Sequence, residues 1–90
     1  MSPETIAVLK PLLWDVDAGR IDLSAHRRWL IERVLGFGRP EQVRWLLSTY
    51  DIKDIAETVR RSRSLDKRTA NYWALHLNIP QKDVRCLNRR

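Results

Sequence analysis

Apolar positions recur at helical spacing almost throughout the chain, and no stretch sustains the alternation of a half-buried strand. Ser2-Pro3-Glu4 reads as a helix start, with a capping serine and a proline at the first helical position. Pro11 limits this segment to about two turns. Ile6, Val8 and Leu9 fit a strand as well as a helix, and the segment is read as a short helix. Leu12 to Ile21 follows as a connector containing Trp14-Asp15-Val16-Asp17 and Gly19.

The next helix takes Asp22 as its N-cap, with Ser24 competing for that role. Leu30, Val34 and Phe37 share its apolar stripe, flanked by Trp29 and Ile31. Gly36 and Gly38 end it, and Gly38 suits a left-handed C-terminal position. Pro40 opens a helix whose Val43, Leu46, Leu47 and Tyr50 form one face. Asp51 caps a third helix with Ile52, Ile55, Ala56 and Val59 on one side. A break at residues 62–65 precedes Asp66, which caps a fourth helix carrying Ala70, Trp73, Ala74 and Leu77. Asn78 marks its exit, and Pro80 starts a last short helix with Val84 and Leu87.

This pattern predicts an all-α fold, a single-domain bundle of four to six short helices. Residues 1–21 form an N-terminal segment and connector, 22–87 the helical core, and 88–90 a basic tail. Ninety residues make one small domain, which buries only about 60% of its unfolded surface. With 31% charged and 43% apolar residues the composition is that of a globular domain rather than a disordered chain. A single cysteine, Cys86, rules out an internal disulfide and points to a reducing, cytoplasmic setting. No apolar run is long enough to span a membrane, and Met1-Ser-Pro-Glu-Thr lacks the basic and apolar start of a signal peptide.

The residues that carry catalysis do not converge. His26 and His76 fall on different predicted helices, and Cys86 has no histidine nearby. Zinc needs three or four ligands in paired spacing, which this chain lacks. Gly36-Phe37-Gly38 follows a helix and lacks the rest of a dinucleotide fingerprint. Asp15 and Asp17 have no acid at the far end of a calcium loop and read as loop braces. The reading is therefore non-enzymatic, with no cofactor and no metal.

Charge is uneven along the chain. The net charge is +6 overall, and most of the excess lies in the second half. Arg60, Arg61, Arg63, Lys67 and Arg68 crowd one junction between helices, with Arg85, Arg89 and Arg90 further on. Such a cluster can bond phosphates bidentately, meet an acidic protein surface, or simply complete solvated helix ends. The segment from Asp51 to Val59 begins like a DNA-binding helix-turn-helix, and Thr69-Ala70 would open its recognition helix. The turn is longer than the usual three or four residues, and Tyr72, Trp73, Leu75 and Leu77 make the second helix apolar.

Four tryptophans in 90 residues is a high number, and core packing is the ordinary reading of each. Trp29 and Trp73 lie on or beside apolar faces and belong to the core. Trp14, in the connector, reads as a lid on the bundle. Trp45 sits about 200° around its helix from Val43. It is therefore either buried under the N-terminal segment or, with Arg44 beside it, exposed as part of a partner interface, since Trp and Arg are enriched at binding hot spots.

Strings along most of the chain resemble a family of small uncharacterised prokaryotic helical proteins. They are Leu13-Trp14-Asp15-Val16-Asp17, Ile21-Asp22, Ile31-Glu32-Arg33-Val34-Leu35, Arg44-Trp45-Leu46-Leu47 with Tyr50, Ser62-Arg63-Ser64-Leu65, Thr69-Ala70-Asn71-Tyr72-Trp73-Ala74-Leu75, and Ile79-Pro80 through Arg85-Cys86-Leu87. Its members are often encoded beside nucleotidyltransferase toxins of the abortive-infection type. The resemblance implies an antitoxin or toxin-associated partner and supplies no active-site residues. Gly36-Phe37 departs from the polar residues more usual there and extends the apolar surface. The sequence thus suggests a protein partner of the nucleotidyltransferase-toxin kind, or nucleic acid as the alternative. The residues that would meet either are Arg44, Trp45, Arg60, Arg61, Arg63, Lys67 and Arg68.

Overall fold

The computed structural model describes residues 2–88, so Arg89 and Arg90 of the basic tail lie outside the described residues. Helix α1 spans Pro3–Leu9, with Pro3 at its first position and the Ser2 hydroxyl accepting from the Thr5 amide at 3.2 Å. Pro11 cannot continue an α-helix, and the chain tightens into a 3₁₀ turn at Lys10–Leu12. A second 3₁₀ turn, Ala18–Arg20, is capped by the Asp17 side chain on the Gly19 amide.

Helix α2 spans Arg27–Phe37, beginning several residues later than Asp22 predicts. Asp22 does act as a cap, but of the turn before the helix. Its carboxylate accepts from the Ser24 and Ala25 amides, both at 2.8 Å, while its own N–H donates to His26 Nδ1. These local bonds offer residues 22–26 an alternative to the helical ladder. Helix α2 ends at Gly38, whose backbone is extended rather than left-handed. The need for glycine there is steric. A Cβ at Gly38 would lie 2.5 Å from the Val34 carbonyl oxygen, which the Gly38 amide approaches to bond.

Helices α3 (Pro40–Thr49), α4 (Ile52–Arg61) and α5 (Lys67–His76) follow, each close to its predicted span. Asp51 occupies the N-cap of α4, yet only its carbonyl engages the helix and its side chain makes no cap bond. Asp66 caps α5 through the Thr69 amide at 3.0 Å. At the exit of α5, Asn78 adopts a φ of 57°, Ile79 N–H bonds to Ala74 O, and Asn78 N–H reaches Leu75 O. This left-handed, doubly bonded ending satisfies carbonyls that would otherwise be orphaned. The last predicted helix divides into a 3₁₀ turn at Gln81–Asp83 and the short α6 at Arg85–Asn88, with Val84 buried between them.

The fold is all-α; no strand occurs among the described residues, and no described helix is long and apolar enough to cross a membrane. Helix α2 packs on α3 and α4, α1 on α3, and α5 on α4 and α6. One core joins Leu9, Leu12 and Leu13 to Leu30, Ile31, Val34, Leu46, Ile55, Val59, Ala70, Trp73, Ala74, Ile79 and Val84. Phe37 is not part of it. The inward edge of α2 runs through Leu30, Ile31, Val34 and Leu35, and Phe37 at the helix end is 68% exposed. Ile52, likewise assigned to a buried face, is exposed at the start of α4, where Ile55, Thr58 and Val59 turn inward.

The five-residue break between α4 and α5 is built around Ser62, which is buried. Its hydroxyl donates to a Glu32 carboxylate oxygen of α2 and accepts from the Ser64 and Leu65 amides at 3.1 and 3.2 Å. Its carbonyl accepts from the Cys86 thiol of α6. Three elements therefore meet at one serine, and Cys86 packs as a small buried group.

Candidate functional site: a groove between helices α3 and α5

The orientation of α3 is set by a buried glutamine. Gln42 accepts from the Arg39 amide at 2.7 Å and donates to the Val8 carbonyl of α1 at 3.0 Å. Burying an amide is tolerable only when it is bonded in this way. With Gln42 and Leu46 turned inward, Leu47 lies about 100° further round the helix and is 48% exposed. Its expected place in the core is thereby corrected.

Helix α5 turns Ala70, Trp73 and Ala74 into the core. That leaves Arg68, Tyr72 and His76, at i, i+4 and i+8, along one flank. The flanks of α3 and α5 border a groove of about 520 Å³. Arg44 and Leu47 line one wall; Arg68, Tyr72 and His76 line the other; no Asp or Glu is among its described lining residues. Tyr72 is 57% exposed, and its ring stacks on His76 at 5.7 Å between centroids, 12° from parallel. Both rings are edged by Trp73.

Of the seven residues singled out in the sequence, Arg44 and Arg68 are the two that line this groove. Both are exposed, and neither forms an ion pair with another described residue. Arg60 and Arg61 lie at the end of α4, where both pair with Glu57. Arg63 is exposed in the loop after α4, and Lys67 is exposed at the first position of α5. Trp45 is half-buried and packs edge-on against Tyr50, at 6.0 Å between centroids, while the Tyr50 hydroxyl donates to Leu23 O. Burial pushes the Tyr50 phenol above its usual range. Leu47, Tyr72 and His76 escaped sequence reasoning. The signal for the last two was the Arg68/Tyr72/His76 stripe, offset from the Ala70/Trp73/Ala74 face.

A second cluster fastens the N-terminal segment to α2. The Arg33 guanidinium lies 4.5 Å from the ring centroids of both Trp14 and Trp29. It donates to the Leu12 carbonyl and makes a two-pronged contact with Asp15. The hydrogen bond from Arg33 holds the Asp15 carboxyl below the usual carboxylate range. Trp14 is thus not a lid over the core. It is 63% exposed and meets Phe37 edge-on. Asp15 braces the loop, as its sequence context suggests, and its partner is Arg33.

Fold and site together define a small all-α domain bearing a groove lined by arginines and aromatic rings. The chain belongs to DUF6922, a family of unknown function whose model matches residues 8–59. No curated protein and no solved structure matches the chain. The matched region carries the α3 wall of the groove and the Arg33 cluster, whereas the α5 wall lies beyond it.

Proposed function

We propose that this chain is a non-enzymatic interaction module, an antitoxin or toxin-associated protein that binds a nucleotidyltransferase-type toxin. The observation that supports a binding role is the α3–α5 groove, where two exposed arginines flank exposed apolar and aromatic side chains and no Asp or Glu is among the described lining residues. Arginine and tyrosine are residue types that concentrate binding energy at protein interfaces. The toxin as partner rests on the sequence resemblance alone.

The alternative, a DNA-binding regulator, draws less support. Residues 62–66 separate α4 from α5, a longer break than a helix-turn-helix uses, and its backbone is committed to Ser62. Tyr72 and Leu75 occupy the exposed side of α5, where a recognition helix carries polar groups.

The test is co-expression with a nucleotidyltransferase toxin encoded beside the gene, followed by purification with and without nuclease. A stoichiometric complex that survives nuclease, together with relief of toxicity, supports the proposal. Lack of association overturns the toxin assignment. Retention that disappears with nuclease, or falls with salt at about 0.9 log units per phosphate per decade, moves the DNA-binding reading into its place.

A further inference from the structure

We infer that the α3–α5 groove takes an acidic, partly apolar segment of a partner protein, its carboxylates held by Arg44 and Arg68 and an apolar side chain seated beside Leu47 and Tyr72. This rests on the interaction-module reading and adds the chemistry of the occupant. Charge complementarity is the first argument. Arg20, Arg27, Arg33, Arg60 and Arg61 each face a carboxylate of this chain. Arg44 and Arg68 form no salt bridge with a described residue, though Asp66 lies close enough to Arg68 to feel its charge, and the groove between them has no described acidic lining. The two guanidiniums come from opposite walls, so a segment lying in the groove meets one on each side, and each can hold a carboxylate through two parallel bonds.

The size of the groove is the second argument. Its α3 wall runs from Pro40 to Leu47 and its α5 wall from Arg68 to His76. At 1.5 Å per residue each wall is about 10–12 Å long, which matches two turns of a helix. Acids on either side of a Leu or Phe within such a short segment would reach both arginines.

Apolar matching separates this occupant from nucleic acid. Leu47 is about half exposed in the groove, and a phosphate backbone offers nothing to cover it. Base stacking on Tyr72 would be confined to a single ring face, because His76 stacks on the other.

The test is selection of random twelve-residue peptides displayed on phage against the intact chain, followed by fluorescence anisotropy with the enriched peptides after synthesis. The expected result is an excess of Asp and Glu around an apolar residue. The double variant Arg44→Glu/Arg68→Glu should then weaken binding by roughly a hundredfold or more, because like charges would oppose each other in the groove. The control reversal Arg60→Glu/Arg61→Glu, on α4, should leave affinity within about threefold. All four side chains are exposed, and circular dichroism with urea unfolding verifies that both variants fold. No enrichment, enrichment without acidic residues, or equal binding to the Arg44/Arg68 variant each overturns the inference. So does tight binding of a twenty-base-pair DNA duplex lost in that same variant. A toxin that co-purifies equally well with wild type and the Arg44/Arg68 variant would leave the interaction-module reading standing while removing this occupant.

Discussion

Single residues hold this small fold at points where several backbone groups depend on one side chain. Ser62 satisfies two amides and Glu32 at once. Ser62→Ala should therefore cost about 1–3 kcal/mol, since it leaves the buried Leu65 amide without its partner. The exposed Ser64→Ala should stay within about 0.5 kcal/mol. Urea unfolding of the two variants checks this pair. The two glycines that end α2 should respond with opposite signs. Gly36→Ala meets open space inside a helix and should gain about 0.5–1 kcal/mol. Gly38→Ala drives a methyl group into the Val34 carbonyl and should lose about 1 kcal/mol or more, read as paired shifts in thermal midpoint. At this scale the sequence was legible where the chemistry is local, as at Ser2, Asp66 and Asn78. Ser62 was opaque because its partners Glu32 and Cys86 lie far along the chain. Gly38 was recognised as a helix end, but its close approach to Val34 depends on the path of the chain after it.

Two carboxylate caps, Asp66 at the start of α5 and Asp22 in the turn before α2, make stability depend on acid. Amides of Ala25 and Ser24 hold the Asp22 carboxyl below its usual range, and Thr69 does the same for Asp66, chiefly through its hydroxyl and then its amide. Both groups are more acidic folded than unfolded. Their contribution is fully present above the unfolded value of about 3.9 and is lost as pH falls through the lower folded values. Asp66→Asn keeps an oxygen at the cap and removes the titration, so its urea midpoint between pH 2 and 5 should fall less steeply than that of wild type. The N-terminal segment hangs on Arg33 and Gln42. Arg33→Lys loses the planar fork that serves two tryptophans, a carbonyl and a carboxylate together. Amide hydrogen exchange should then quicken across residues 3–21 while α4 and α5 keep their protection. Helix positions were readable from periodicity and turn residues to within a few positions. Their rotations were less so: Leu47, Phe37 and Ile52 sit on the edges of apolar stripes, and tertiary bonds such as Gln42 to Val8 decide which edge faces inward.

Among the described residues, a groove between α3 and α5 is lined by an arginine from each helix beside apolar side chains. Apolar periodicity foretold the all-α class, the distribution of charge foretold a basic second half, and Arg44 and Arg68 were both picked from the sequence. Their meeting was not legible, because it depends on α3 packing against α1 and α2 while α5 packs against α4 and α6. Arg60 and Arg61 pair with Glu57 one turn back within α4 itself, and Trp45 packs against Tyr50. The central claim is that this groove binds a protein. It is tested most directly by capturing partners of the tagged chain and of its Arg44→Glu/Arg68→Glu variant from a nuclease-treated lysate of the source cells, with quantitative mass spectrometry. The account predicts one stoichiometric protein retained by the wild-type chain and reduced at least tenfold by the variant. A partner held equally by both chains, or no protein retained once nucleic acid is removed, would contradict it.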